Sequence, residues 1–239
     1  MLASGVTAHA ATLSYTTVVA PHATPIFNVT EPTPPTWWTN GQRVFTATNW
    51  SQNLALQKFD PALGILNSVT FTFRGALLST SMIENLDGEP ADVREDWTGS
   101  MHFTVPGASQ QTSNLSYSFT QSFAAYDGIA DFSGASGGST PPFTVETNSG
   151  NPTSLILSTN LSPFIGTDTF AVPVDANGRA LFSGAGNLLT SARTYGWAGM
   201  TVTYDYTPSI DLTIAKTVTS SGPYIVGSNV TYSLLARNL

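Results

Sequence analysis

Cysteine is absent from the 239 residues, which excludes a disulfide framework, thiolate metal sites and a cysteine nucleophile. Charge is scarce as well: Asp, Glu, Lys and Arg together make up 10% of the chain, against roughly 25% in an average globular domain. Lys and Arg number 8 against 15 Asp and Glu, for a net charge of −7. A surface that tracks phosphates needs the opposite balance, so nucleic acid is not an expected partner. No run of 18 apolar residues occurs, and no helical membrane span is expected. The three histidines, His9, His22 and His102, form neither an HExxH pair nor any other ligand spacing, and there is no GxSxG elbow. A hydrolytic triad is not expected, and no catalytic residue is assigned. Long stretches of period 3.6 are missing too, so helix content should be low.

What is present is alternation. In the stretch from Thr48 to Val93, Leu54 and Leu56 alternate with polar neighbours. Phe59-Asp60-Pro61 and Gly64 then break the run, before Val69, Phe71 and Phe73 alternate with Thr70, Thr72 and Arg74. Period 2 with Thr and Ser on the wet face is the signature of antiparallel strands. The same reading predicts strands over 11–19, with Leu13, Tyr15 and Thr17 on one side, over 97–105, around Leu115 to Phe119, and around Leu155 to Leu157. Phe170 to Val174 should form another, closed by a turn at Asp175 to Gly178, and Met200 to Tyr206 a particularly regular one. Pro21 to Pro35 and the run from Ser133 to Pro142 read as irregular connections. One helical turn is conceivable around Asn187 to Leu189. The fold class expected is therefore all-β, an antiparallel β-sandwich of jelly-roll or Ig-like style with little helix. Beyond Pro208, strands at 211–217 and 226–234 flank a turn at Ser220 to Pro223, a C-terminal hairpin that is marginal in isolation, so the natural polypeptide is expected to continue.

Domain organisation follows. Ala8-His9-Ala10 has the small-x-small form of a signal cleavage site, so residues 1–10 read as the end of a secretory signal whose basic and apolar regions are not in the chain. Residues 11–208 form the sandwich, and residues 209–239 begin a second unit.

Six acids fall between Glu84 and Asp96, in a segment read as an acidic loop. Glu84, Asp87, Glu89 and Asp92 are the candidate ligands for calcium, which takes six to eight oxygens, with Asp127 and Asp131 as additional donors. The DxDxDG spacing of an EF-hand is missing, and a solvated or edge-protecting role explains the same acids. A glycosidase acid and nucleophile could be drawn there only if two carboxylates faced each other across a cleft, one of them buried. Trp37 and Trp38, after the proline segment, are candidates for stacking a sugar or for closing one end of the sandwich, and Trp97 is a further stacking candidate. Five Asn-x-Ser/Thr sequons, at Asn28, Asn49, Asn114, Asn160 and Asn229, are what so Asn- and Thr-rich a composition produces.

Trp50-Ser51-Gln52, Phe59-Asp60-Pro61 with Gly64, Glu84-Asn85, Tyr126-Asp127-Gly128 with Asp131-Phe132, Gly186 to Leu189 and Val202 to Pro208, in that order, resemble the choice-of-anchor E domain of bacterial secreted and surface proteins. Asp211-Leu212, Lys216-Thr217, Gly227 and Val230-Thr231-Tyr232 resemble the opening of the cell-surface repeat called domain of unknown function eleven. The resemblance implies an exported protein, held at the cell surface by a C-terminal anchor and meeting envelope components, extracellular matrix or glycans. It implies no established catalytic site. Three functional classes stay open: a structural or adhesive ectodomain without enzymatic activity, which leads, a calcium-assisted carbohydrate-binding module as its alternative, and, ranked last, a glycan-active enzyme, which would require at least two convergent ionisable groups in a concave pocket.

Overall fold

The structure, a computed structural model, describes residues 10–20, 26–30, 42–140, 142–147, 153–209 and 212–238. Its spine is a pair of long antiparallel strands, β5 (Gly64–Asn85) and β12 (Leu188–Pro208), paired from one end to the other. A hydrogen-bonded spine of this length has two open edges, and each is closed by short strands laid end to end. Along β5 run β8 (Gly137–Ser139), β9 (Phe143–Glu146) and β10 (Thr153–Leu157). Along β12 run β1 (Ala11–Val18) and β3 (Gln42–Ala47), and β2 (Ile26–Thr30) pairs in turn with β3. These form an eight-stranded sheet. The facing sheet has four strands, ordered β4 (Trp50–Gln57), β11 (Thr169–Ser183), β6 (Ala91–Phe103) and β7 (Gln111–Phe123).

The inward faces hold the core. Val69, Phe71, Phe73 and Leu77 of β5 and Met200, Val202 and Tyr204 of β12 meet Leu54, Leu56, Trp97, Met101, Val172 and Val174 of the smaller sheet, all buried. Phe164, from a 3-10 turn at Ser162–Phe164, packs edge-on against Phe71 and Phe170. A second, smaller cluster of Ile83, Val93 and Phe123 plugs the end of the sandwich where β5 turns into β6. Asp60 caps the 3-10 turn Pro61–Leu63 by accepting from the Ala62 N–H at 2.9 Å, and Phe59 beneath it stacks near Tyr204 and Tyr206. Gly64 then opens β5 against β12, where a Cβ would lie 2.1 Å from the Thr207 carbonyl oxygen.

The sandwich and its low helix content match the sequence reading, and β1, β5, β10 and β12 lie where alternation places them. Other expectations are corrected. Asp175 to Gly178 is not a turn: β11 continues to Ser183, because the segment pairs with β6 throughout. Leu188 and Leu189 open β12 rather than a helical turn, with Asn187 in the bend before it. A strand, β2, lies within the proline segment, and another, β8, within the Ser- and Gly-rich stretch. The acidic loop is mostly strand: Glu84 belongs to β5, and Asp92, Glu95 and Asp96 to β6, which starts at Ala91 rather than at Trp97. At the C-terminus β13 (Leu212–Val218) pairs with β14 (Tyr232–Asn238) in a sheet of two strands, the second starting later than its pattern suggests.

Candidate functional site

The outer face of the four-stranded sheet carries a row of surface depressions. Pairing sets its side chains in rows across β11, β6 and β7: Asp175, His102 and Thr112; Asn177, Ser100 and Asn114; Arg179, Thr98 and Ser116. Neighbours in a row stand about 4.8 Å apart and successive rows about 6.8 Å. Beyond them, Leu181 pairs with Asp96 and Asp96 with Ser118, then Asp92 faces Ser122.

Two glycines sink the middle of this face. Gly99 and Gly178 are cross-strand partners whose missing side chains would point into the sandwich. A Cβ on Gly99 would lie 2.5 Å from Leu77 Cδ1 and 2.6 Å from the Asn177 carbonyl oxygen, and one on Gly178 would lie 3.1 Å from Thr194 Oγ1. With nothing between them, the small sheet settles onto the large one, and the outer surface is dented above. The dent, of about 380 Å³, is lined by Asn49, Thr98, Ser100, Asn114, Asn177 and Arg179. Asn49 reaches it from the bend before β4, its Oδ1 accepting from the Gly178 N–H at 3.0 Å. Separate, smaller depressions of about 320 Å³ beside Asp96, Ser116 and Ser118, and about 260 Å³ beside Asp92 and Ser122, lie further along the β6 and β7 hairpin. Ser100 to Asp92 spans eight residues of strand, so this line of depressions, the trough, extends over about 27 Å.

Its charges are mostly engaged. His102 Nδ1 lies 2.6 Å from Asp175 Oδ1, which also accepts from Asn177 Nδ2 at 3.2 Å. With Nδ1 tied to the Asp175 carboxylate, Nε2 is the ring nitrogen left for other partners. Arg94 grips Asp96 through Nε at 2.9 Å and Nη2 at 2.7 Å, which holds the Asp96 carboxyl below the usual carboxylate range. Arg179 is exposed and makes no ion pair among the described residues. What this surface can do is donate and accept hydrogen bonds along an extended line.

The residues singled out from sequence lie elsewhere. Glu84 is fully buried, its Oε1 accepting from Ser136 Oγ at 2.6 Å while Oε2 lies against Gly137. Asp87 accepts from the Gly186 N–H at 2.6 Å, Glu89 is exposed in the turn, and Asp92 accepts from Ser122 Oγ at 2.5 Å. Asp127 and Asp131 accept from the Ile129 and Ser133 N–H groups and build a turn. The four carboxylates are not brought together, and among the described residues no group of three or more His, Asp or Glu side chains is placed to hold a metal ion. Trp37 and Trp38 lie outside the described residues. Trp97 is fully buried between the sheets and cannot stack a sugar.

Sequence reasoning missed the trough because it places Asn177 in a turn, takes Asn49 and Asn114 only as sequons, and does not single out Arg179. The available signal was Gly99 inside a strand pattern, since a strand glycine often marks a close approach of backbone.

Glu95, like Glu84, is a buried acid. It sits between the two clusters, fully buried, accepting from Ser81 Oγ at 2.6 Å, with Oε2 unpartnered among the described residues. Burial raises its pKa above the ordinary value.

No family model and no curated protein matches the chain. Two solved structures align with it weakly. One is "Structure of infectious bursal disease virus Gt strain", at 10% identity and a TM-score of 0.23, over 82% of this chain and 38% of that one. The other is "Crystal structure of the T13 IBDV viral particle reveals a missing link in icosahedral viruses evolution", at 11% identity and a TM-score of 0.18, over 83% and 40%. The chain thus spans about two fifths of the length of either, and at these scores the likeness carries no argument about function.

Proposed function

We propose that this chain is a non-enzymatic adhesive ectodomain of a bacterial envelope protein, exported and surface-anchored, that binds extended glycans along the trough of its four-stranded sheet. The observation that carries the reading is the trough itself: long, shallow, open, and lined by hydroxyls and carboxamides. Such groups match the alternating donors and acceptors of a polysaccharide, whose hydroxyls need partners when water is displaced. An open groove also leaves both ends of a polymer free, as adhesion to a surface requires. The ordered resemblance to choice-of-anchor E supports the exported setting, and the hydroxyl-rich, cysteine-free surface is compatible with it.

The test is affinity electrophoresis of the full chain through gels cast with neutral and acidic plant, algal and bacterial polysaccharides. The wild type should be retarded by at least one polymer, and the double variant Asn114→Ala, Asn177→Ala should lose about thirtyfold in affinity, as expected for two hydrogen bonds of about 1 kcal/mol each. Retardation by none of them, or an unchanged double variant, would refute the reading.

A further inference from the structure

Resting on the glycan reading above, we infer that the trough selects an acidic glycan and that Arg179 is the subsite for its carboxylate. In a chain of net charge −7, cations that remain available are few. Lys58 pairs with Asp168, Arg94 with Asp96, Arg43 and Arg74 both with Glu146, and Lys216 lies over the Tyr232 ring. Arg179 and Arg193 are the two described arginines that are exposed and make no ion pair among the described residues. They stand on opposite outer faces of the sandwich, since β11 and β12 belong to different sheets.

Arg179 alone lies on the dent that the paired glycines create, beside the carboxamides of Asn114 and Asn177. A guanidinium donates in a planar fork that fits a carboxylate with two parallel hydrogen bonds, and it stays charged at every accessible pH. A neutral sugar leaves that fork with water. A uronic acid satisfies it, while Ser100, Asn114 and Asn177 take the ring hydroxyls alongside. The nearest acid of the sheet, Asp96, is held by Arg94, and Asp175 is held by His102, so neither competes for Arg179. The net negative charge of the chain opposes polyanion approach over long range, but contact distances are shorter than the screening length of about 8–10 Å at moderate ionic strength.

The experiment compares full-length wild type, R179Q, R179K and R193Q by calorimetric titration with polygalacturonate and with its fully methyl-esterified form, alongside the neutral polymers that retard the wild type. The wild type should bind the acid form about tenfold more tightly than the ester, the factor expected of a charge-assisted hydrogen bond. R179Q should abolish that preference with its unfolding midpoint unchanged, R179K should keep part of it, and R193Q should keep all of it. Equal binding of acid and ester by the wild type, or a preference that survives R179Q, overturns the carboxylate subsite while leaving the glycan reading intact. Binding of no polymer at all overturns both.

Discussion

Asn85 should prove to be the polar pin of the closed end of the sandwich. Its side chain is fully buried and makes three hydrogen bonds to backbone. Nδ2 donates to the carbonyls of Glu89 and Ala124, each at 2.9 Å, and Oδ1 accepts from the Asp87 N–H at 3.1 Å. One amide thereby joins the turn between β5 and β6 to the end of β7. Asn85→Ala removes all three bonds at once. Each contributes about 0.5–1.5 kcal/mol net, and a buried group left without a partner costs more. Glu89 is exposed and its carbonyl can recover a water, so the loss should fall at about 2–3 kcal/mol. For a chain of this size that lowers the thermal midpoint by about 4–12 °C. Asn85→Asp should cost at least as much, because a carboxylate keeps the acceptor but faces two carbonyl oxygens. Urea unfolding of both variants, with the exposed Asn53→Ala as a control expected within about 0.5 kcal/mol, reads the effect. A loss below about 0.5 kcal/mol for Asn85→Ala would refute the reasoning, since the pin would then carry nothing.

Gly99→Ala should destabilise the fold by about 2–4 kcal/mol, the range of severe overpacking, and should weaken glycan binding as well, because its Cβ would meet Leu77 and the Asn177 carbonyl and lift the sheet under the trough; unfolding and binding measured on the same variant would show whether the two losses travel together. Glu95→Gln should change the pH dependence of stability. The raised pKa of Glu95 means that its folded state holds a proton the unfolded chain releases, so its contribution is fully present below about pH 4 and is lost as pH rises through the raised value. The variant should therefore gain on the wild type from acid toward neutral pH, and parallel stability curves would contradict the assignment. Millimolar calcium should leave the unfolding midpoint unchanged, because Glu84, Asp87 and Asp92 are each tied to a separate partner within the fold and do not converge; a clear rise would show that the acids regroup around the ion.

The fold class was legible because alternation is a local property. A strand with one wet face declares itself within six or eight residues, and Val69 to Phe73 or Met200 to Tyr206 need no partner to be recognised. Several motif residues also revealed themselves through local chain geometry: Asp60 capping a 3-10 turn and Asp127 and Asp131 shaping a turn are short-range effects. The errors came where pairing overruled local preference. Asp175 to Gly178 has the composition of a turn, yet ten successive residues of β11 find partners on β6 and hold the segment extended. Gly137 to Ser139 has almost no strand propensity and is a strand because the edge of β5 is there to pair with.

The candidate site belongs wholly to that second category. Asn49, Asn114 and the pair Asn177 and Arg179 come from three separate stretches of chain, and only the register of β11, β6 and β7 sets Asn114, Asn177 and Arg179 in adjoining rows. The carboxylates that stand close in sequence point the other way: strand alternation sends Glu84 under the Ser136 turn, Glu95 into the interior and Asp92 to the outer face. By itself the sequence determined which residues face water and which face oil, since a period of two needs only neighbours along the chain. Which polar groups share a surface was decided by tertiary structure, because cross-strand register is set by the packing of the whole sheet.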